Sequence, residues 1–390
     1  MKTISAFIFI IIFNYASAQS LLWAKDVNAD ALYIAKDTAG SVYTLGNFYG
    51  VVDFDPGTGI DTLGTSGNIN FNLFISKTDV IGNYVSARSV IVSSGQGYVS
   101  PSAIKIDTSG NIYVTGTYLT YLGSTIDFDP GPGTYTVTSF SNQQVCFVLK
   151  LDAGGNFLWV KSLEGSGARS NGDAIATDAL GNVVVAGHYL GTVDFDPGIP
   201  TYTLNASSPT YHSFILELDA SGNFVWVKEI YGTDDVLINA MTLDGFGNMY
   251  FAGQYQATID FDPGASTYTL TSAGADDIFT LKLDGSGNLV WVKSQGGTGS
   301  NIATAIAVDA LGNSHLTGTS GGVTDFDPGA GTYTLAPIGT VDIFTSKLDA
   351  LGNFVWAKTV GNSSTWMDGG KSIDVDKWGN VYTVGTLMVP

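Results

Sequence analysis

The chain consists of short apolar runs separated by polar turns. One representative stretch has four such runs, rich in β-branched and aromatic side chains, at residues 156–161, 174–178, 182–187 and 214–219. None of them carries an apolar stripe with the 3.6-residue period of a helix. The pattern therefore predicts strands, and the fold class is predicted to be all-β.

The turns between these runs share one motif, Asp-x-x-Gly-Asn. Aspartate accepts backbone amides within a type I turn, and glycine enters the left-handed region at little cost. We therefore predict that these aspartates close hairpins and take no part in catalysis. The motif begins at Asp79, Asp107, Asp152, Asp178, Asp219, Asp244, Asp284, Asp309, Asp349 and Asp376, and a variant begins at Asp37.

A second motif, DFDPG, gives the period of the chain. Its copies begin at Asp53, Asp127, Asp194, Asp260 and Asp325, at spacings of 74, 67, 66 and 65 residues. A regular period of this size indicates repeated supersecondary units. Two hairpins in each repeat of about 66 residues make four strands, which is one antiparallel β-propeller blade. A blade normally takes about 40 to 45 residues, so the surplus is predicted to be an inserted hairpin such as residues 192–195 returning through 202–204.

The repeats predict five complete blades plus a partial sixth that begins with strands at Ile373 and Val381. The alanine-rich strand of each blade is expected to be innermost, followed outward by the Gly-Asn, Phe and Trp strands. An unpaired outer strand is predicted at residues 21–25. We expect residues 19–390 to form a single repeat domain that is C-terminally truncated, with an incomplete or open ring.

The first 18 residues have the pattern of a cleavable secretory signal peptide. Lys2 precedes an apolar run at residues 6–13, and Ala16-Ser17-Ala18 forms a small-residue cleavage site. The alternative is an N-terminal membrane anchor. No other segment is long and apolar enough to span a bilayer, so the mature protein is expected to be secreted or at the cell surface, without membrane insertion.

The net charge excludes some classes of binding partner, and the cysteine content excludes a disulfide. The chain has 35 acidic and 16 basic residues, a formal net charge of −19, which repels phosphate backbones and anionic lipid headgroups. Nucleic acid is therefore not an expected partner. The single cysteine, Cys146, excludes an internal disulfide and is predicted to be a small buried apolar residue.

Tryptophan occupies one repeat position and is predicted to be core. Exposed indoles would instead indicate a carbohydrate-stacking platform. The residues at this position are Trp23, Trp159, Trp226, Trp291 and Trp356, with Ser86 replacing tryptophan in one copy.

Few residues depart from the repeat in a way that suggests catalysis. His188, His212 and His315 show no spacing to a nucleophile or a metal ligand, and each is predicted to be hydrogen-bonded or solvent-facing. No pairing can be read for the remaining non-repeated charges, Glu164, Arg169, Glu217 and Glu229.

The DFDPG motif is the one repeated group of residues that could bind a ligand. On an extended strand its two aspartates point to one side and its phenylalanine to the other. The favoured interpretation is turn structure, because Asp-Pro-Gly is turn chemistry. The alternative is a calcium site, since calcium takes six to eight oxygen ligands. The ten candidate ligands, expected on one acidic rim, are Asp53, Asp55, Asp127, Asp129, Asp194, Asp196, Asp260, Asp262, Asp325 and Asp327.

Three stretches, at residues 305–313, 344–349 and 352–358, resemble the SBBP family of bacterial β-propeller repeats. The resemblance extends from about Leu22 to Gly385, and the DFDPG inserts are similar to a variant found in secreted bacterial surface proteins. It implies an extracellular or cell-surface scaffold or binding role and supplies no catalytic residues.

Together these features predict a secreted, non-catalytic β-propeller that engages extracellular protein or glycan partners at the cell surface. Calcium on the acidic rim is its one candidate cofactor. The competing hypothesis is an extracellular glycan-active lyase or hydrolase with its site at the propeller mouth.

Overall fold

A computed structural model describes residues 29–64, 69–121, 123–138, 142–206, 210–363 and 368–388. Within these ranges all regular structure is β-strand, which confirms the all-β class, and no helix long and apolar enough to cross a membrane is found there. The chain divides into two compact units, the first ending at Tyr231 and the second starting at Gly232. The predicted signal peptide and the predicted strand with Trp23 lie outside the described residues.

The strands of the first unit, up to its boundary, are β1 (Asp30–Lys36), β2 (Val42–Phe48), β3 (Val51–Asp53), β4 (Thr62–Gly64), β5 (Asn72–Thr78), β6 (Tyr84–Ser94), β7 (Gly97–Ile106), β8 (Ile112–Thr120), β9 (Thr125–Asp127), β10 (Thr136–Val137), β11 (Val145–Leu151), β12 (Phe157–Leu163), β13 (Arg169–Thr177), β14 (Val183–Asp194), β15 (Thr203–Ala206), β16 (His212–Leu218) and β17 (Phe224–Gly232). The strands of the second unit are β18 (Val236–Leu243), β19 (Met249–Tyr255), β20 (Thr258–Asp260), β21 (Thr269–Thr271), β22 (Asp277–Leu283), β23 (Leu289–Gly297), β24 (Ser300–Val308), β25 (Ser314–Gly321), β26 (Thr324–Asp325), β27 (Thr334–Leu335), β28 (Asp342–Leu348), β29 (Phe354–Val360), β30 (Gly369–Val375) and β31 (Val381–Thr386).

The long strands form four-stranded antiparallel sheets in chain order. The first unit contains the sheets β1-β2-β5-β6, β7-β8-β11-β12 and β13-β14-β16-β17, and the second contains β18-β19-β22-β23, β24-β25-β28-β29 and the pair β30-β31. Over the described residues this confirms five complete β-propeller blades and a two-stranded sixth. The predicted order of the four strands is also confirmed, while the incomplete or open ring and the single truncated domain stay predictions.

First strands of neighbouring sheets lie against one another within each unit, which is why small residues are needed there. At Gly172 in β13, an added Cβ would lie only 2.1 Å from Oγ1 of Thr115 in the preceding sheet. Each first strand also carries a β-bulge, which the sequence pattern did not predict. The extra residues at the bulges are Leu32, Ser102, Asp173, Asn239, Thr304 and Lys371.

The Asp-x-x-Gly-Asn turns are closed by their aspartates, as predicted. At Asp219, Oδ1 accepts the amides of Ser221 and Asn223, each at 2.8 Å, and Oδ2 accepts Nδ2 of Asn223 at 2.8 Å. The backbone amide of Asn223 is the main cause that holds the pKa of the Asp219 carboxyl below its ordinary value. The aspartates of these turns therefore act in hairpin structure.

Each DFDPG segment begins an inserted hairpin, as predicted. These hairpins are β3–β4, β9–β10, the end of β14 with β15, β20–β21 and β26–β27. The motif phenylalanine is fully buried in every copy and contacts a phenylalanine of the third strand. In Phe195 and Phe214, for example, the ring centroids lie 4.9 Å apart.

Three of the inserts also form backbone hydrogen bonds with the outer strand of the preceding sheet or with the residue that follows it, a contact that the sequence did not reveal. Within the first unit β9 pairs with β6, and within the second β26 pairs with β23. In a third case the Asp194 amide donates to the carbonyl oxygen of Glu164, which follows β12, at 2.8 Å. Each of these inserts therefore covers a sheet edge that would otherwise be open.

At the repeat position, Trp159, Trp226, Trp291 and Trp356 are partly buried. Trp159 and Trp291 pack against hydrophobic core clusters, so the predicted core position is confirmed in part. The indole of Trp159 packs against the turn at Gly222 of the next sheet, and its Nε1 donates to the Ala220 carbonyl oxygen at 3.4 Å. Trp291 donates in the same way to Ala350 at 3.1 Å. These indoles link neighbouring sheets and are not free faces for stacking a sugar.

Candidate functional site

The two aspartates of each DFDPG motif close the loop that follows them. In the third copy, Oδ1 of Asp194 accepts the amides of Asp196 at 3.1 Å and Tyr202 at 2.9 Å, and Oδ1 of Asp196 accepts the amide of Gly198 at 2.9 Å. The first aspartate therefore binds backbone two and eight residues ahead. Asp53, Asp127, Asp260 and Asp325 make the same two bonds in the other copies.

This arrangement gives the ten candidate calcium ligands a structural role. Each second aspartate, namely Asp55, Asp129, Asp196, Asp262 or Asp327, accepts the amide of the motif glycine. Among the described residues, no group of three or more His, Cys, Asp or Glu side chains is placed to hold a metal ion. The hydrogen bonds are those of the turn interpretation, and calcium binding stays a prediction.

The residue held eight positions after the first aspartate is a tyrosine in four copies. Tyr135, Tyr202, Tyr268 and Tyr333 are 46%, 47%, 47% and 37% exposed. Three of these rings lie on the phenylalanine that begins the fourth strand: Tyr135 on Phe157 at 4.9 Å, Tyr202 on Phe224 at 5.2 Å, and Tyr333 on Phe354 at 4.7 Å, with interplanar angles of 30°, 27° and 35°. These tyrosines are not among the residues predicted from the sequence, although tyrosine recurs eight residues after the first aspartate in four copies.

The first copy shows a different pair at this place. Asp61 takes the tyrosine position, and its Oδ2 accepts the hydroxyl of Tyr84, the residue that begins the fourth strand of that sheet. The aromatic pair of the other copies is therefore replaced there by an acid and a phenol.

A cleft lies beside one of these tyrosines in the first unit. Its volume is about 290 Å³, and its walls include Tyr135, Thr136, Lys161, Ser162 and Pro197. Lys161 and Ser162 belong to β12, while Pro197 belongs to the DFDPG loop of the following repeat. The volume is close to the lower end of ordinary ligand sites, about 300 Å³.

The third sheet contains a hydrogen-bonded cluster of non-repeated residues. His212 Nδ1 lies 2.6 Å from Oε1 of Glu229, and the hydroxyl of Tyr189 donates to the same oxygen. The imidazole of His212 stacks on Tyr231, with ring centroids 5.4 Å apart and planes 22° apart. Burial, followed by the Glu229 hydrogen bond, raises the pKa of Tyr189. The other four four-stranded sheets have serine or threonine at the equivalent position, namely Ser89, Ser162, Ser294 and Thr359.

A second histidine pairs with an aspartate on the same sheet. Nδ1 of His188 lies 2.6 Å from Oδ2 of Asp173, and Nδ2 of Asn171 lies 3.0 Å from Nε2 of His188. Both ring nitrogens of His188 therefore have a polar partner, the Asp173 carboxylate at Nδ1 and the Asn171 amide at Nε2. Asp173 is the bulge residue of β13, so the bulge turns its carboxylate toward the histidine.

The remaining non-repeated charges lie nearby in the chain. Oε1 of Glu164 accepts the hydroxyl of Tyr118 at 3.0 Å, and Nε of Arg169 donates to Oε1 of Gln143 at 2.9 Å. Burial raises the pKa of both Glu164 and Glu217. All three glutamates of the chain fall between residues 164 and 229, a compositional signal that sequence reasoning overlooked.

His315 and Cys146 are buried within their units. Nε2 of His315 lies 3.4 Å from Oδ2 of Asp309, and its buried Nδ1 has no partner among the described residues. Burial lowers the pKa of His315 and raises that of the Cys146 thiol. The predictions of hydrogen-bonded histidines and a buried cysteine are confirmed.

Five successive four-stranded antiparallel sheets, each with an inserted hairpin, define a β-propeller repeat protein. The chain is 25% identical over 221 residues to an uncharacterized WD repeat-containing protein of Acanthamoeba polyphaga mimivirus, a match that covers 51% of this chain and 16% of that protein. A protein of unknown function from Bacteroides caccae shows a TM-score of 0.32 and 12% identity, over 74% of this chain and 90% of its own. No protein-family model matches the sequence, so membership of the SBBP family stays a prediction.

Proposed function

We propose that this chain is a secreted, non-catalytic β-propeller scaffold that binds protein or glycan partners at the cell surface. The observation that carries the proposal is the repetition of one loop, closed by its own aspartates, which presents a half-exposed tyrosine in four of five copies. The signal-peptide pattern supports export, and the relative described as WD repeat-containing supports a repeat scaffold.

Export and partner binding are tested with the full chain. Expressed in a bacterial host with a secretion pathway, the protein is expected outside the cytoplasm with its N-terminus at Gln19, as measured by mass spectrometry. Labelled mature protein is then expected to bind bacterial cells saturably, with heat-unfolded protein as the control. Loss of binding after protease treatment of the cells indicates a protein partner, and loss after periodate oxidation indicates a glycan. Absence of saturable binding contradicts the proposal.

The competing hypothesis, a glycan-active lyase or hydrolase, has one observation in its favour. Asp173 orients His188 as an acid orients a general base, and all three glutamates lie in the same region of the chain. Release of reducing ends, or of unsaturated products absorbing in the ultraviolet, from a polysaccharide panel tests it. Turnover that is abolished by Asp173→Asn or Glu229→Gln would replace the scaffold proposal.

A further inference from the structure

We propose that Tyr135, Tyr202, Tyr268 and Tyr333 are stacking platforms that bind a neutral polysaccharide. The inference rests on the proposed binding function, for which it names the partner class and the residues in contact.

Ring geometry makes these tyrosines suitable platforms. In three copies one side of the ring is held by a phenylalanine, so the opposite side is left for a ligand. A hydrogen bond of 2.8–2.9 Å from the backbone amide of each tyrosine to Oδ1 of the first aspartate fixes the backbone at the tyrosine. Tyrosine immobilised in this way offers a large contact face at a small loss of side-chain entropy. Such a face matches the C–H face of a pyranose ring.

Polar atoms beside each ring favour sugar over peptide. In the described parts of the chain, the four hydroxyl groups make no hydrogen bond, and Oδ2 of the neighbouring first aspartate accepts none. A carboxylate oxygen forms strong hydrogen bonds with O–H donors. Sugar hydroxyls supply such donors. A proline-rich peptide, the other common occupant of aromatic surfaces, has few donors for these acceptors.

Charge decides between neutral and acidic sugars. The chain carries a formal net charge of −19, and each platform has aspartates beside it. An anionic polysaccharide would meet repulsion from this surface. The occupant is therefore a polymer of uncharged sugars.

The cleft beside Tyr135 extends this platform into a pocket. Ser162 and Lys161 supply donor groups at one wall, and Pro197 of the following repeat supplies an apolar wall. Its volume of about 290 Å³ suits one sugar ring rather than a longer segment. Each unit has two platforms, Tyr135 and Tyr202 in the first and Tyr268 and Tyr333 in the second, so a polymer that occupies both gains avidity.

The test is affinity electrophoresis of the full mature chain in native gels. The probes are dextran, mannan, hydroxyethyl cellulose and arabinoxylan, with alginate as the anionic comparison. We expect at least one neutral polymer to retard the protein and alginate not to. The double variants Tyr135→Ala with Tyr202→Ala and Tyr268→Ala with Tyr333→Ala are each expected to weaken binding at least about tenfold through lost contacts and avidity.

Two controls separate ligand contact from folding. The double variants Tyr135→Phe with Tyr202→Phe and Tyr268→Phe with Tyr333→Phe keep both ring faces. Each is expected to bind more tightly than the corresponding alanine variant, since each ring loses only its hydroxyl. Tyr49→Ala with Tyr121→Ala removes two other exposed tyrosines and is expected to leave binding unchanged. Thermal unfolding of every variant checks that it folds.

The proposal is overturned if no neutral polymer retards the parent, or if the alanine variants bind as the parent does. Retention on an immobilised proline-rich peptide that depends on these tyrosines would assign them to peptide binding instead. If the alanine variants still bind cells saturably, the tyrosine platforms are contradicted but the proposed scaffold function is not. Loss of cell binding in the parent protein would remove the function itself.

Discussion

Oδ1 of Asp194 accepts the backbone amide of Tyr202 at 2.9 Å, across eight residues of chain. The same bond joins the first aspartate to the eighth following residue in all five DFDPG copies. The carboxylate is therefore part of the loop that holds the tyrosine. The turn interpretation, which the sequence favours, therefore extends to positioning an aromatic residue in four of the five copies.

Removing this acceptor is expected to destabilise the third insert. Asp194→Ala leaves the amides of Asp196 and Tyr202 without their partner and should lower the free energy of unfolding by about 1.5–3 kcal/mol, the usual range for hydrogen bonds to charged groups. Asp194→Asn retains an acceptor oxygen and should lose less. Urea denaturation measures both, with Asp30→Ala, an exposed aspartate of β1, as control. Equal stability of Asp194→Ala and the control would contradict the role.

The calcium hypothesis makes a separate prediction. An ion bound only to the folded state stabilises it by about 2.7 kcal/mol when its free concentration is 100-fold above the Kd. Millimolar calcium should therefore raise the Tm above its value in EDTA, and by more than magnesium does at matched ionic strength. The rise should shrink when Asp194 and Asp196 become Asn. Equal rises in Tm with calcium and magnesium would contradict a calcium site and leave loop closure as the role of the aspartates.

Alanine substitutions at two comparable glycines test how closely a tryptophan packs against the next sheet. Gly222 and Gly247 have φ values of +79° and +82°, so alanine at either costs about 1–2 kcal/mol for the left-handed backbone. An added Cβ at Gly222 would lie 2.8 Å from Cε of Lys161, the far end of a flexible side chain that can move away, and 3.0 Å from the indole of Trp159. At Gly247 nothing lies within 4 Å. Gly222→Ala should therefore be the more destabilising in urea denaturation. Trp159→Ala combined with Gly222→Ala should remove the difference.

Replacement of His315 by tyrosine is expected to stabilise the fifth sheet by about 1 kcal/mol. The equivalent residues Tyr43, Tyr113, Tyr250 and Tyr382 each donate a hydroxyl to the turn aspartate, and tyrosine removes the unpartnered Nδ1. Space for the ring exists in a similar setting, because Tyr250 lies 6.1 Å from Trp291 and His315 lies 6.3 Å from Trp356. His315→Phe fills the space without the hydroxyl and should gain less in urea denaturation.

The same variant should change the pH profile of stability. Because burial lowers the pKa of folded His315, the unfolded chain binds more protons between that pKa and the ordinary value of 6.5. Neutral His315 therefore contributes fully to the free energy of unfolding of the parent protein above about pH 6.5. This stabilisation is lost as the pH falls below that value. His315→Tyr should show a flatter profile between pH 7 and 5. An unchanged slope would show that His315 does not titrate with unfolding.

The features that sequence predicted are local. Strand runs, turn aspartates, the insert and the burial of the motif phenylalanine follow from residues close together in the chain, where side-chain alternation and turn chemistry operate. These rules also gave the correct number of sheets. The half-buried state of Trp159 was missed because it depends on how closely the next sheet approaches.

The features that sequence missed depend on register. His212 and Glu229 meet only because β16 pairs with β17 so that Ser213 lies opposite Ile230. The bulge at Asp173 shifts the register in the same way and brings its carboxylate to His188. A single sequence gives the alternation of a strand but not the offset against its neighbour.

The pairing of β9 with the preceding sheet sets an order in time during synthesis. β6 ends at Ser94, and its edge partner β9 begins at Thr125, 31 residues later. At about 5–20 residues per second, the edge of the first sheet waits roughly 2–6 s for its cover. In that interval the nascent chain exposes backbone donors and acceptors to any other strand. Slow translation through residues 95–125 should therefore favour association between neighbouring nascent chains.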